Sequence, residues 1–256
     1  MSVLLEAGIR DILIISKPEH LGAFQELFGD GSQLGINLSY KPQPTRGGIA
    51  EALVIASDFI AGDEVALVLG DNVFYGSGFA KKLARAIDNA KAGYATIFGY
   101  RVDDPQHFGV VDFDDAGNAI SLEEKPAEPR SNYCVTGLYF YDKGVGDYVS
   151  RLQPSTRGEL EITDLNRMYL EDKKLKVEQL DRGFAWFDTG TVDSLFAVGE
   201  YIRVVQEATG VKVAALEEIV YDAGWIKRAQ LLKLADGLKK TEYGRYLEKI
   251  ALSTRR

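Results

Sequence analysis

The sequence predicts an α/β protein: a Rossmann-like, mostly parallel sheet flanked by helices, with a small antiparallel insertion and a helical C-terminal tail. Apolar strands alternate with amphipathic helices as far as Tyr100, the layering of βαβ units. That rhythm breaks at Asp114–Asn118, a hairpin turn between two short strands. From Glu217 to Ile250 the pattern is helical, with charges of both signs interspersed. With 256 residues, 46% apolar and 27% charged, the chain can bury one large core. It reads as a single domain over 1–256, residues 211–256 being a helical C-terminal appendage.

Taken in order, Met1–Gly8 reads as the last turns of an amphipathic helix closed by Gly8. A chain that opens inside an element suggests sequence missing upstream, the alternative being simply a short N-terminal helix. Asp11–Ile15 is a buried strand, Leu21–Phe28 a helix, and Ile36–Tyr40 alternates into a second strand. Gly48–Ile60 is helical, with Ile49, Leu53, Ala56 and Ile60 on one face. Val65–Leu69 has the continuous apolar character of a strand buried on both faces. A helix from Phe79 to Ala92 and a strand over Tyr94–Tyr100 follow. Gly109–Phe113 and Ala119–Leu122 form the hairpin, and Val135–Tyr141 is a long aromatic strand. Thr163–Leu170 is helical, Lys176–Leu180 extended, Phe184–Phe187 a strand ending at Asp188, and Val192–Glu207 a clear helix.

Composition narrows the function. Thirty Lys+Arg against 38 Asp+Glu leave a net charge of −8, which disfavours nucleic-acid backbones as partners. Cys134 is the single cysteine, and His20 and His107 are the two histidines, so neither a disulfide framework nor a zinc site is indicated. No apolar run is long enough to cross a membrane and no signal peptide is recognisable. The expected compartment is the cytoplasm, with no membrane and no nucleic-acid partner.

Four stretches can carry chemistry. Asp71 and Asp188 each follow an apolar strand, with residues after them that turn toward a helix. They suit either helix caps or a Mg²⁺ ion, which takes one or two carboxylates and fills its shell with phosphate oxygens. Thr189-Gly190-Thr191 offers a better cap than Asp188 itself. In Glu123-Glu124-Lys125-Pro126, the proline is expected to hold Lys125 extended, its ammonium aimed from the end of a strand. That suits a phosphate, with Glu124 accepting from sugar hydroxyls, or simply a solvated turn. In Arg157–Asp164, Arg157 is a natural fork for phosphate, while Thr163 or Asp164 can cap the next helix. Gln43–Gly48 is a glycine-rich turn opening a helix, which offers N–H groups to an anion or a base edge. There is no Walker A loop, and Gly76-Ser77-Gly78 lacks the third glycine of a dinucleotide fingerprint.

In order and spacing these pieces resemble one family, the sugar-phosphate nucleotidyltransferases, and within it the thymidylyltransferases acting on glucose 1-phosphate. The matching text is Ala7–Ile15, Leu67–Asn72 with Phe74-Tyr75-Gly76, Phe108–Val111, Ser121–Pro126, Ser131-Asn132-Tyr133, Val135–Asp142, Arg157–Asp164 and Trp186–Thr191. The resemblance implies dTTP and glucose 1-phosphate as substrates, with dTDP-glucose and pyrophosphate as products. It implies Asp71 and Asp188 as the Mg²⁺ pair, and Lys125 and Arg157 on the sugar phosphate. Gly109, Glu124, Val135 and Tyr139 would form the sugar pocket, Trp186 would also bind substrate, and Gln43 with Gly48 would read the thymine. It also implies a homo-oligomer, often a tetramer, feeding deoxysugar synthesis.

The departures also set expectations. Family members begin with a strand and the loop G-x-G-T-R-L-x-P-x-T, followed by a lysine within L-P-V-x-x-K-P; neither occurs in this sequence. That loop wraps the triphosphate, so activity below that of a complete relative is expected. The strand before it belongs in the middle of the sheet, and without it two unpaired edges and marginal stability are expected. Arg46 and Gly47 in the thymine loop, Glu51 where glutamine is usual, and Phe108 where tyrosine is common are smaller differences. A non-catalytic sugar-nucleotide-binding or regulatory subunit is the alternative reading. A nicotinamide-dependent oxidoreductase fits the layering but lacks the glycine fingerprint and ribose-reading acid.

Overall fold

The computed structural model describes residues 1–253, which divide into two compact units: Met1–Pro42 together with the chain from Ile202, and Gln43–Tyr201. The first unit opens with α1 (Ser2–Glu6), whose end is closed by Gly8 at φ +81°, the left-handed backbone that glycine adopts without strain. Strand β1 (Asp11–Ser16), helix α2 (Pro18–Phe28) and strand β2 (Asn37–Pro42) follow, and β1 and β2 pair in parallel. Helix α2 starts earlier than the apolar pattern suggests, because Pro18 sits in the first turn, where its missing N–H costs nothing.

In the second unit the helix expected over Gly48–Ile60 is two short helices, α3 (Glu51–Ile55) and α4 (Ser57–Ile60). It cannot begin at Gly48, whose φ of +94° is non-helical. Strand β3 (Val65–Val68) leads through Gly70 and Asp71 directly into β4 (Asn72–Tyr75), and helix α5 (Phe79–Lys91) comes only after that. Asp71 therefore caps no helix. Strands β5 (Ala95–Arg101), β6 (Gly109–Phe113), β7 (Ala119–Glu124) and β8 (Tyr133–Tyr141) precede α6 (Val145–Val149), α7 (Ile162–Glu171), β9 (Leu175–Leu180), β10 (Ala185–Asp188) and α8 (Val192–Thr209). Helices α9 (Leu216–Asp222), α10 (Arg228–Gly237) and α11 (Glu242–Leu252) complete the first unit, as the helical tail predicts.

The main sheet has the order β7-β6-β8-β5-β9, with β3 also paired to β8. Strand β5 pairs in parallel with β9, while β3 and β5 each lie antiparallel to β8. The strands β3, β5 and β9 thus run one way, as the alternation predicts, yet β8 is threaded against them and makes most ladders antiparallel. The β6–β7 hairpin is the antiparallel insertion. Strand β3 is half-buried throughout, not buried on both faces, and β1 buries only Ile12 fully. Each pairs on one edge alone among the described residues, which leaves its other side open.

Helix α5 lays Phe79, Leu83, Ala86 and Ala90 on the sheet at helical spacing, all buried. Phe79 stacks on Phe74 at 5.5 Å and meets Phe98 and Phe184 edge-on, which gathers β4, β5 and the residue just before β10 around one ring. Cys134 is buried, its thiol donating to the Tyr100 carbonyl at 3.2 Å, and burial pushes it up to about 12. It is no nucleophile. No helix is long and apolar enough to cross a membrane among the described residues.

Candidate active site

Strands β4 and β10 run antiparallel, with Asp188 opposite Asn72. At that end the Thr189 N–H and hydroxyl both donate to the Asp71 carbonyl at 2.9 Å. One ladder end thereby brings Asp71, exposed, and Asp188, half-buried, together. Asn72 Nδ2 donates to Asp71 Oδ1 at 2.9 Å, and Gly190 N–H to Asp188 Oδ1 at the same distance. Thr191 caps α8, its hydroxyl accepting from Ser194 N–H at 3.1 Å, so Asp188 is not needed as the cap. Two carboxylates are a hard oxygen donor set. It fits a divalent cation completed by phosphate oxygens. Among the described residues no group of three or more His, Cys, Asp and Glu stands ready to hold a metal without substrate.

Asn72 is the residue that sequence reasoning passed over. Its Oδ1 accepts from Gly137 N–H at 2.9 Å and from Trp186 Nε1 at 2.7 Å while its amide holds Asp71. A Cβ on Gly137 would lie 2.8 Å from that side chain, so glycine in β8 is what admits it. Asn72 stands inside the Leu67–Asn72 motif, but nothing in its spacing announces partners on both β8 and β10.

Beside this ladder lies a cavity of about 320 Å³ walled by Gly109, Glu124, Lys125, Val135, Tyr139, Arg157, Trp186 and Asp188. Asn72, His107, Ile49 and Thr163 share its wall. Asp71, Gln43 and Gly48 are not among the lining residues, although Ile49, the residue after the Gln43–Gly48 loop, is. That loop is tied to the Arg157 segment by backbone bonds, Leu160 N–H to Gly47 O at 2.7 Å and Ala50 N–H to Leu160 O at 3.2 Å. Gly48 must be glycine there, because a Cβ would sit 2.4 Å from the Leu160 carbonyl.

Glu124 Oε2 accepts from the Thr163 hydroxyl at 2.5 Å, and Gly109 passes close to both. Thr163 does not cap α7, and neither does Asp164, which pairs with Arg167. Helix α7 begins one residue before Thr163, so both side chains lie past the capping position. Arg157 forks onto Glu161 at 2.8 to 3.1 Å and faces Glu124 at 3.5 Å and Glu159 at 3.7 Å. Hydrogen bonding to Glu161 raises its pKa, so the guanidinium is firmly charged. Lys125 is not extended before its proline. Its φ is +45°, a left-handed backbone that proline normally disfavours, held by its own N–H on the Phe108 carbonyl at 3.0 Å. Its side chain is exposed at the cavity mouth. Tyr139 is buried, and burial, then the nearby Glu124, raises its phenol far above the usual range, so it is a neutral wall.

The nucleotidyl transferase family profile matches residues 1–203. A glucose-1-phosphate thymidylyltransferase of Neisseria gonorrhoeae is 51% identical over 247 residues, 96% of this chain and 85% of that protein. The chain belongs to this enzyme family. A thymidylyltransferase of Mycolicibacterium smegmatis is 49% identical over the same share of each chain. A Bacillus anthracis protein assigned as a glucose-1-phosphate thymidylyltransferase, solved with sucrose, superposes at a TM-score of 0.72. It has 39% identity, over 79% of this chain and 80% of that one. A UDP-glucose pyrophosphorylase, 18% identical with a TM-score of 0.67, shares the fold. The nucleotidyltransferase fold expected from the sequence is the fold of these relatives.

Proposed function

We propose that this protein transfers dTMP from dTTP to glucose 1-phosphate, giving dTDP-glucose and pyrophosphate. The observation that carries the reading is one cavity whose wall combines Glu124, Lys125 and Arg157 with Asp188, at the ladder end that also holds Asp71. A phosphate oxygen of glucose 1-phosphate attacks the α-phosphorus of dTTP. The new P–O bond forms as the bond to the β-phosphate oxygen breaks, and the electron pair leaves with pyrophosphate. Two anions must meet, so Lys125 and Arg157 offset their repulsion at the sugar phosphate. Glu124 accepts from a sugar hydroxyl, held in place by Thr163. Val135, Tyr139 and Trp186 wall the ring, and Gly109 lets it come close to β6. Gln43 and Gly48 take the thymine. Asp71 and Asp188 would hold Mg²⁺, which supplies charge neutralisation to the phosphates when bound.

Incubation with glucose 1-phosphate, dTTP and magnesium salt, followed by chromatography for dTDP-glucose, tests this. Product that Lys125→Ala lowers by about a hundredfold supports it. Binding of dTDP-glucose without product marks the non-catalytic subunit instead, and neither binding nor product overturns both readings. We also keep a homo-oligomer, on the family resemblance, and, on the sequence reading, a cytoplasmic location and a single functional domain over 1–256 with 211–256 as its helical appendage. Sedimentation of the purified chain tests the assembly, and a single melting transition is expected of one domain.

A further inference from the structure

We propose that Glu51 sets which base this protein accepts, by fixing the orientation of the Gln43 amide; this rests on the reading that Gln43 meets the base. The Glu51 carboxylate, in the first turn of α3, gathers the loop before it. Its Oε2 accepts from Gln43 Nε2 at 2.6 Å and from Gly47 N–H at 3.2 Å, and its Oε1 from the Thr45 hydroxyl at 3.0 Å. Gln43 Nε2 also reaches the Gly48 carbonyl at 3.3 Å. A Cβ on Gly47 would lie 2.3 Å from the Glu51 carboxylate, so glycine there is what lets the carboxylate reach the loop.

A carboxylate and a backbone carbonyl both accept and never donate. The Gln43 amide must therefore turn its NH₂ toward them, and both its protons are spent within the loop. The group left for a ligand is Oε1, an acceptor. An acceptor at that point calls for a ring N–H. Thymine and uracil carry one at N3, whereas cytosine presents a lone pair there, and two acceptors facing each other lose a hydrogen bond and repel. Glu51 thus makes the loop select pyrimidines with an N3–H. Its role is positioning, exerted through Gln43.

Calorimetric binding of dTTP and dCTP to the full chain and its variants decides the matter. The protein itself is expected to prefer dTTP. Glu51→Gln can still turn a carbonyl to Gln43 and is expected to keep the preference. Glu51→Lys donates instead, drawing Gln43 Oε1 inward and presenting its NH₂ to the base, so the dTTP-to-dCTP ratio is expected to fall about tenfold or more. Affinity for glucose 1-phosphate is expected to stay unchanged in each. Should Glu51→Lys not fold, Glu51→Arg, which likewise donates, takes its place with the same readout. An unchanged ratio, or equal loss of both nucleotides, overturns the role of Glu51. Gln43→Leu with unaltered affinity for both nucleotides overturns the underlying reading that Gln43 meets the base.

Discussion

At Lys125 two requirements compete, and the backbone carries the conflict. A lysine at φ +45° before a proline costs on the order of 1 kcal/mol in strain, yet its N–H is fixed on Phe108 and its ammonium stands at the cavity mouth. Lys125→Gly is therefore expected to leave thermal stability unchanged or raise it by roughly 1 kcal/mol, while activity falls steeply. A melt run beside an assay of dTDP-glucose formation checks this, and a variant that loses both together would show that the strain has no part in the site. The sequence offered Lys125 and Glu124 either as a phosphate-and-sugar pair or as a solvated turn, and it showed that both are charged. The left-handed backbone could not be read there, because the local rule for residues before proline points the other way, and the contact that overrides it comes from Phe108, just before β6.

Among the elements, Asn72 joins three strands. Its Oδ1 serves Gly137 of β8 and Trp186 of β10, and its amide steadies Asp71 at the start of β4. Asn72→Leu keeps the volume but leaves two donors without an acceptor, at roughly 1–3 kcal/mol for each that stays dry. A lowered melting temperature is expected, together with a loss of activity larger than that seen in variants of equal stability far from the site. The β3-to-β4 passage was read from sequence as strand, aspartate, then helix. A four-residue strand that exists only because β10 lies beside it has no periodicity long enough to show itself. By contrast, α5 and α8 were plain, since each repeats its apolar positions over several turns.

Across the molecule, the core of the larger unit keeps its tyrosines neutral. Tyr169 donates to Asp142 at 2.6 Å, Tyr141 to Asn166 at 2.8 Å and Tyr148 to Asp172 at 2.6 Å. Burial, reinforced by its aspartate, pushes Tyr148 up to about 12, and burial first, then Asp142, raises Tyr169 further still. A phenol whose folded pKa lies above its unfolded value favours the folded state fully below about pH 10, and that stability is lost as pH climbs toward the folded value. The protein is expected to unfold in alkali between about pH 10 and 12, with tyrosinate absorbance appearing together with loss of helical signal. Tyrosinate rising while the fold persists would refute this. The amino-acid sequence by itself determined most of the longer strands and helices, the acidic and cysteine-poor chemistry, and the motifs that mark the family. Those are carried by local periodicity and by short fixed spacings. Only the tertiary structure decided that β8 runs against its neighbours and that Asn72, Gly137 and Trp186 share one oxygen. The tertiary structure also decided that Glu124 of β7 joins the neighbouring Glu159 and Glu161 around Arg157. These depend on which distant segments meet, and hydrogen bonds between strands far apart in the chain leave no mark on either segment alone.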